Sequence, residues 1–592
     1  MKIGPAFPDF IRTEKIRRRG KGFLRESYPM RMLLIPLLLF IVVGILFARL
    51  FFLQIIKGHY YRDLSDGNRI RIIAIHAQRG IIFDRDGKPL VYNIPGFRQI
   101  VNGKTRLIGN EEAISLISQG KKDLEIDSLR FYPYKDIFAH SLGYIGQIFK
   151  EELSLTEFAN YKAGDLIGKM GIERKFESIL KGIDGERLVE VDSQGNEVRK
   201  LGQKDPISGE NITLTVDLEM QKAVYTAMEG VKKGAAIVSK PNGEILALIS
   251  KPSFDPNLFT MSESYIATQS SYKNIDQILL DEESQPLINR AIQGTYPPGS
   301  TFKIIVAAAG LENKIIDENF TVEDTGVLRV GDFSFSNWYY TQYGKTEGLV
   351  NVSRALARSN DIFFYKLGEL VGVDKLSLFA EKFGLGQKTG IDLVGEAKGL
   401  VPSASWKEKM IGEQWYLGDT YHYGIGQGFL SVTPLQVNSW TAAIANGGTL
   451  YQPRLLKNTT NKPIRKDFLG QKTISLIRQG MVESCSPGGV VWPLFKFKVQ
   501  SSKFKVDGRN FLEVSEGSPA AGLKDQREIV VACKTGTAEH GVEKTLPHAW
   551  ITLFAPAYDP QIVVTVLSES SGEGSNIAAP IAKKILEEWF LR

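Results

Sequence analysis

Cysteine is almost missing from this chain of 592 residues: there are two, Cys485 and Cys533. Two thiols so far apart make neither a disulfide framework nor a zinc knuckle. The sequence leaves open whether they pair. No internal repeat and no long low-complexity segment is visible, so repeat architectures are excluded. A distributed basic surface is lacking too. The net charge is +7, but residues 1–31 hold nine basic side chains against three acidic ones, which leaves +1 for all the rest. The excess is a tail rather than a groove, and nucleic acid is excluded as a partner, since such domains need a clustered basic face.

What remains is an ordinary globular composition, 43% hydrophobic and 23% charged, with length for several domains and apolar material enough for a core without staples. One apolar run stands out. Met32 to Ala48 is uncharged; Arg49 interrupts, and LFFLQII continues. This is near the lower limit for a bilayer span, and Arg49 can snorkel to the interface. The run exceeds the usual apolar core of a signal peptide, and no small-x-small cleavage site follows it. The reading is a retained transmembrane helix over 32–53, behind a basic tail over 1–31 that stays cytoplasmic. No second run approaches spanning length, so a single pass is expected, with the rest outside the cytoplasmic membrane.

From 57 to 230 short β-rich runs alternate with turns. Residues 70–77 and 80–94 read as strands broken by Asp-Gly turns, and 168–181 as helical. The texture changes near 234: two apolar strands flank Pro241-Asn242-Gly243, a hairpin signal. Helical patterns follow over 301–313, 351–371, 374–384 and 434–447. Strands return over 529–539, 548–556 and 561–570, and a last helix closes the chain. This order predicts an α+β fold.

Three short motifs carry chemistry. Pro297-Pro298-Gly299 forces a turn before Ser300-Thr-Phe-Lys303, which opens a helix. Lys303, three residues on, shares the face of Ser300. A serine hydroxyl needs a base to become a nucleophile, and a lysine whose charge is disfavoured can be that base. An N-cap serine beside a solvated lysine gives the same letters. Ser359-Asn360-Asp361 joins two helical patterns. Its hydroxyl and carboxylate can relay a proton, or Ser359 or Asp361 simply caps the next helix. Lys534-Thr535-Gly536-Thr537 ends an apolar strand, where lysine and threonines can bind a carboxylate and glycine admits another backbone. In this order and context the three form a known catalytic set.

On these residues the chain resembles the class B penicillin-binding proteins, and within them the elongation branch, penicillin-binding protein 2. Further points of likeness are Arg79 to Gly87 (RGIIFDRDG), Ala139 to Gly146 (AHSLGYIG), Gly171-Ile172-Glu173, Asn289-Arg290-Ala291, Thr389 to Leu393 (TGIDL), Gly424 to Gly428 (GIGQG) and Thr433 to Gln436 (TPLQ). Trp415 to Thr420 (WYLGDT) points to the elongation branch rather than its division counterpart. The resemblance implies a peptidoglycan D,D-transpeptidase that binds β-lactams, with a dimerisation-type pedestal over 57–230 and a transpeptidase domain over 231–592. It implies that Ser300 is acylated by a stem peptide with Lys303 as base. Ser359 and Asp361 would relay protons, and Lys534 would act beside them. Thr535, Gly536 and Thr537 would bind the donor, and the backbone N–H groups of Ser300 and Thr537 would form the oxyanion hole. A polytopic partner of the RodA type and other elongation machinery are implied as well.

Two departures stand out. Asp361 replaces the Asn of many relatives, though elongation members often carry Asp; its charge would hold Lys303 protonated. The stretch between Asn93 and Arg130 is short, which implies a reduced head. Some relatives carry zinc between the first two motifs. No His or Cys lies there in this chain, so no metal or other cofactor is expected. A class A β-lactamase would need a glutamate deacylation device, a β-lactam receptor more membrane segments, and a bifunctional enzyme a preceding glycosyltransferase domain; none is seen. A non-enzymatic scaffold that activates a membrane glycosyltransferase is the reading from another class, disfavoured because Ser300, Lys303 and Lys534 are all present.

Overall fold

The computed structural model describes residues 30–101, 104–121, 124–192, 197–261, 265–495, 498–500, 509, 511–512, 526–540 and 545–591. Most of the basic tail therefore lies outside the described residues. The chain forms two compact units. One takes in the chain up to Ala74 with Glu186–Lys204, the other Ile75–Gly185 with Asp205 onward.

The first unit contains helix Met30–Phe51, a π-turn over Phe52–Ile56 and helix Gly58–Arg69. Leu34–Ile56 is 23 residues long with a mean hydropathy of 2.7, and none of it is buried. By length and composition it can cross a membrane. The last of these helices falls where the sequence reading began its β-rich region. A three-stranded sheet follows, with Gly185–Val191 between Ile70–Ile75 and Glu197–Lys204. Glu190 on the central strand meets Arg69 at 2.8 Å and Arg199 at 2.5 Å.

The second unit is organised by a five-stranded antiparallel sheet. Its order is Ile245–Lys251, Gly234–Ser239, Ile562–Ser568, His548–Ala555, Ala532–Ala538. The hairpin expected around Pro241-Asn242-Gly243 joins the first two strands, with Gly243 at φ +86°. Side chains alternate between faces with period two. Ala236, Val238, Ile551, Leu553, Val564 and Val566 pack with Met220 and Val224 of helix Leu218–Ala227 and with Ile585 and Leu586 of helix Ala578–Leu591. Trp550, Phe554, Val563 and Leu567 pack with a helical lobe that includes Trp440 and Phe364. Helix Lys303–Glu312 is apolar almost all round and runs through that lobe with its first eight residues buried, as such a helix must.

A third apolar cluster joins the amino-terminal part of this unit to the sheet. Ile82, Leu90, Tyr132 and Leu142 share it with Ala235, Ile237, Leu248 and Leu435. The same part of the unit holds a buried ion network. Arg79 Nε meets Glu173 at 2.5 Å, Arg79 Nη2 meets Glu177 at 2.7 Å, and Arg130 Nε meets Glu173 at 2.7 Å. Two of the sequence's family-like stretches, around Arg79 and around Glu173, thus become one cluster. Burial works against these charges, but mutual attraction outweighs it. Arg79 is held more basic than usual and Glu173 more acidic.

The two cysteines do pair. Cys485 and Cys533 form a disulfide with Cα atoms 6.0 Å apart across a sequence separation of 48. Closing a loop of that length removes about 4 kcal/mol of unfolded-chain entropy. In the apolar run Val490 to Phe495, Val491 and Phe495 are buried in the cluster that holds both cysteines, while Val490 lines the cleft described below and Pro493 is exposed.

Candidate active site

Each motif is placed by a local device. The turn at Pro297-Pro298-Gly299 leads into a 3-10 turn over Gly299–Phe302, and the α-helix begins at Lys303. Ser300 therefore sits on the tighter turn and stays partly exposed, while Lys303 is fully buried. Gly299 adopts φ +54°. Its N–H donates to the carbonyl of Gly426 at 2.9 Å. A Cβ on Gly426 would stand 2.1 Å from the carbonyl oxygen of Gly299, which accounts for glycine there.

The two helical patterns read within 351–371 are the helices Val352–Arg358 and Asp361–Val371, meeting where the sequence placed their junction. Ser359 breaks them with a left-handed backbone, φ 54° and ψ 37°. Such a conformation costs a non-glycine residue about 1–3 kcal/mol and persists only where its surroundings enforce it. The cap of the second helix is Asn360, whose Oδ1 accepts from Phe363 N at 2.9 Å. Neither Ser359 nor Asp361 serves as the cap, so both side chains are free to meet the lysines.

The third motif lies on Ala532–Ala538, the edge strand of the sheet. A Cβ on Gly536 would meet the carbonyl oxygen of Pro298 at 2.8 Å and Thr301 Cγ2 at 3.1 Å. Glycine lets the edge strand lie against the serine turn.

The polar groups converge. Lys303 Nζ donates to Asp361 Oδ1 at 2.6 Å and to the Ser359 carbonyl at 2.8 Å, with Ser359 Oγ at 3.4 Å. Lys534 Nζ donates to Ser359 Oγ at 2.9 Å and to the Thr535 carbonyl at 3.1 Å. Burial pulls Lys303 below an ordinary lysine, opposed by Asp361. Burial lowers Lys534 much further, helped by the nearby charge of Lys303. The expected effect of Asp361 is present, but desolvation outweighs it. Ser300, Ser359, Asp361, Thr535, Gly536 and Thr537 line one cleft of about 890 Å³. Among the described residues no cluster of His, Cys, Asp or Glu is suited to a metal ion.

Two contributors, Trp338 and Asp324, were not read from the sequence. Trp338 N donates to Asp361 Oδ2 at 3.1 Å, and Trp338 Nε1 to the Arg358 carbonyl at 2.9 Å. Buried Asp324 accepts from Asn337 Nδ2 at 2.8 Å and from Asn360 Nδ2 at 2.9 Å. It thereby ties the Trp338 segment to the Ser359 break. Asp324-Thr325-Gly326 reads only as a turn, and nothing in its spacing points to Asn360.

A buried lysine three residues after a partly exposed serine on a tight turn, sharing a hydroxyl with a second buried lysine, is equipped for acyl transfer. The sequence matches the Penicillin binding protein transpeptidase domain over residues 234–587 and the Penicillin-binding Protein dimerisation domain over 122–214. The chain belongs to the penicillin-binding protein transpeptidases. It is 31% identical to Peptidoglycan D,D-transpeptidase MrdA of Haemophilus influenzae, over 97% of this chain and 93% of that one. A crystal structure of Pseudomonas aeruginosa penicillin-binding protein 2 in complex with WCK 5153 superposes with a TM-score of 0.66 at 32% identity, covering 88% of this chain and 97% of that one. Penicillin-binding protein 2 of Helicobacter pylori, in its complex with MreC, gives a TM-score of 0.71 at 27% identity, covering 88% and 99%. In this penicillin-binding protein the three motifs therefore meet at one cleft on a known transpeptidase scaffold.

Proposed function

We infer that this chain is a peptidoglycan D,D-transpeptidase of the serine acyl-enzyme kind, acting in cell-wall elongation and cell-shape maintenance, and that it binds penicillin. The observation that carries the reading is the meeting of the three motifs: buried Lys303 and Lys534 both reach Ser359, and Ser300, Ser359, Asp361 and Thr537 line one cleft.

In this reading Ser300 Oγ attacks the penultimate D-Ala carbonyl of a stem peptide. Lys303, held toward its neutral form by burial, takes the hydroxyl proton. The backbone N–H groups of Ser300 and Thr537 hold the oxyanion, each worth about 3–4 kcal/mol in such sites. The peptide C–N bond breaks, and the terminal D-Ala leaves as the amine with a proton relayed through Ser359. Lys534, Thr535 and Thr537 hold the donor carboxylate, and Gly536 keeps the strand close. An amine of a neighbouring stem peptide then attacks the ester, forms the cross-link and returns the proton to the Ser300 oxygen. Asp361 holds Lys303 in place throughout.

We further propose four regions: a tail over 1–31, a membrane span over 32–53, a pedestal over 57–230 and a transpeptidase domain over 231–592. The basic tail favours a cytoplasmic amino terminus and a catalytic domain outside the cytoplasmic membrane. Elongation machinery is the expected partner, including an MreC-like protein, as in the Helicobacter pylori complex, and a RodA-type glycosyltransferase.

The reading is tested with the full-length chain in detergent and a stem pentapeptide donor with an amine acceptor. Wild type should release D-Ala and form cross-linked product, and Ser300→Ala should do neither. Release by Ser300→Ala equal to wild type would overturn it.

A further inference from the structure

Cys533 immediately precedes Lys534, yet acyl transfer as described makes no use of it. Its partner Cys485 is the last residue of helix Gln471–Cys485. That helix lies directly on Val352–Arg358, the short helix that delivers Ser359. The contact is close. A Cβ on Gly480 would stand 2.7 Å from Leu356 Cβ and 2.8 Å from the Ser353 carbonyl oxygen. Ser353 Oγ donates to the Leu476 carbonyl at 3.0 Å. Leu356, Ile477 and Met481 share one apolar cluster.

One helix thus touches the second motif by packing and the third by a covalent bond. The remaining side of this triangle is the hydrogen bond from Lys534 Nζ to Ser359 Oγ at 2.9 Å. The strand bearing Lys534 and Thr537 needs such a tie. Among the described residues it is the sheet's edge strand, paired within the sheet only with His548–Ala555. An edge strand has half the ladder support of a central one. Misplacement of a reacting or binding group by about 1 Å can cost roughly 10²-fold in rate. The disulfide is shielded: Cys533 is 0% and Cys485 7% exposed.

We propose that the Cys485–Cys533 disulfide is a positioning device for acyl transfer, clamping the Lys534–Thr537 strand against Ser359 through helix Gln471–Cys485. Both cysteines are positioning residues, and neither touches substrate. The proposal rests on the transpeptidase reading and on a catalytic domain in an oxidising compartment, where disulfides persist.

The test separates positioning from bulk stability. Acylation by a fluorescent penicillin is measured on the full-length chain, resolved into the rate constant for acylation and the affinity of the preceding complex. Cys485→Ala, Cys533→Ala and the double variant are compared with wild type, each well below its melting temperature. Ile167→Ala, a buried substitution in a separate apolar cluster, is the stability control. The expected result is a fall in the acylation rate constant of about tenfold or more, equal in both single variants and the double, because each breaks the same bond. The affinity should change little, and Ile167→Ala should acylate as wild type does. Unchanged acylation in the cysteine variants, losses that add in the double, or an equal loss in Ile167→Ala would overturn the proposal. Should the cysteine variants fail to fold, wild type reduced by a phosphine and then reoxidised gives the answer. A rate that falls and recovers supports the clamp, and an unchanged rate in reduced protein sinks it. Wild type that does not acylate at all would overturn the transpeptidase reading instead.

Discussion

Two buried charge clusters lie in the same unit, and they are built on opposite principles. The cluster in the pedestal pairs Arg79 and Arg130 with Glu173 and Glu177. The charges balance, Tyr161 and the Gly168 N–H add bonds to Glu177, and guanidinium groups do not give up protons in proteins. Arg130 and Arg79 hold Glu173 ionised against the pull of burial. The catalytic cluster sets two lysines against one carboxylate, Asp361. Burial pulls both lysines down, so a proton can leave. A balanced buried network holds structure, whereas a deficit of one counter-charge makes a place for proton transfer.

The largest test of that contrast removes the proposed base. Lys303→Met should slow penicillin acylation by about 10²–10⁴-fold, the usual contribution of a positioned base, in a protein that still folds. A loss below tenfold would shift the base to Lys534. The pedestal cluster should answer differently. Glu173→Gln leaves Arg79 and Arg130 with an uncompensated buried charge and should cost about 3–5 kcal/mol in denaturant unfolding. Its acylation rate, measured on the remaining folded protein, should stay at the wild-type value. Loss of acylation without loss of stability would break the comparison.

How much of this could be read in advance depends on the kind of information each residue carries. Ser300, Lys303 and Lys534 announce themselves because their spacing is local and their context, a helix start and a strand end, follows from turn residues and periodicity. The junction at Ser359 is legible as the meeting of two helical patterns, but its left-handed backbone is not, since tertiary contacts rather than propensity impose it. Asp324 is the same kind of case. It lies 36 residues before Asn360, and only the folded chain brings them together. The pairing of Cys485 with Cys533 was undecidable for the same reason. Conversely, the stretches around Arg79 and Glu173 were legible as family-like without any hint that they meet as one ion network.

Smaller effects sharpen the contrast. Asp361 works against the lowering of Lys303, so Asp361→Asn should let that lysine fall further. With neutral Lys303 as the base, the acid limb of the acylation pH profile should move to lower pH. A shift to higher pH would contradict the assignment. In the pedestal, Glu173 is held below the ordinary carboxylate range. Burial alone would raise it, but Arg130 and Arg79 prevail. Its contribution to stability is therefore complete above the unfolded value of about 4.3 and lost as pH falls through the lower folded value. Between pH 5 and 3 wild type should lose stability more steeply than Glu173→Gln, by at most about 1.4 kcal/mol per pH unit for one proton. Equal slopes would mean that Glu173 is not held ionised by its arginines.

The most direct test of the central claim, a serine acyl-enzyme at Ser300, is intact mass after incubation with a penicillin, for wild type and Ser300→Ala side by side. A long-lived adduct of one drug mass on wild type alone is the predicted result, with unchanged melting of the variant, since one hydroxyl at a cleft contributes little to stability. An adduct on Ser300→Ala, or none on folded wild type, would contradict the account.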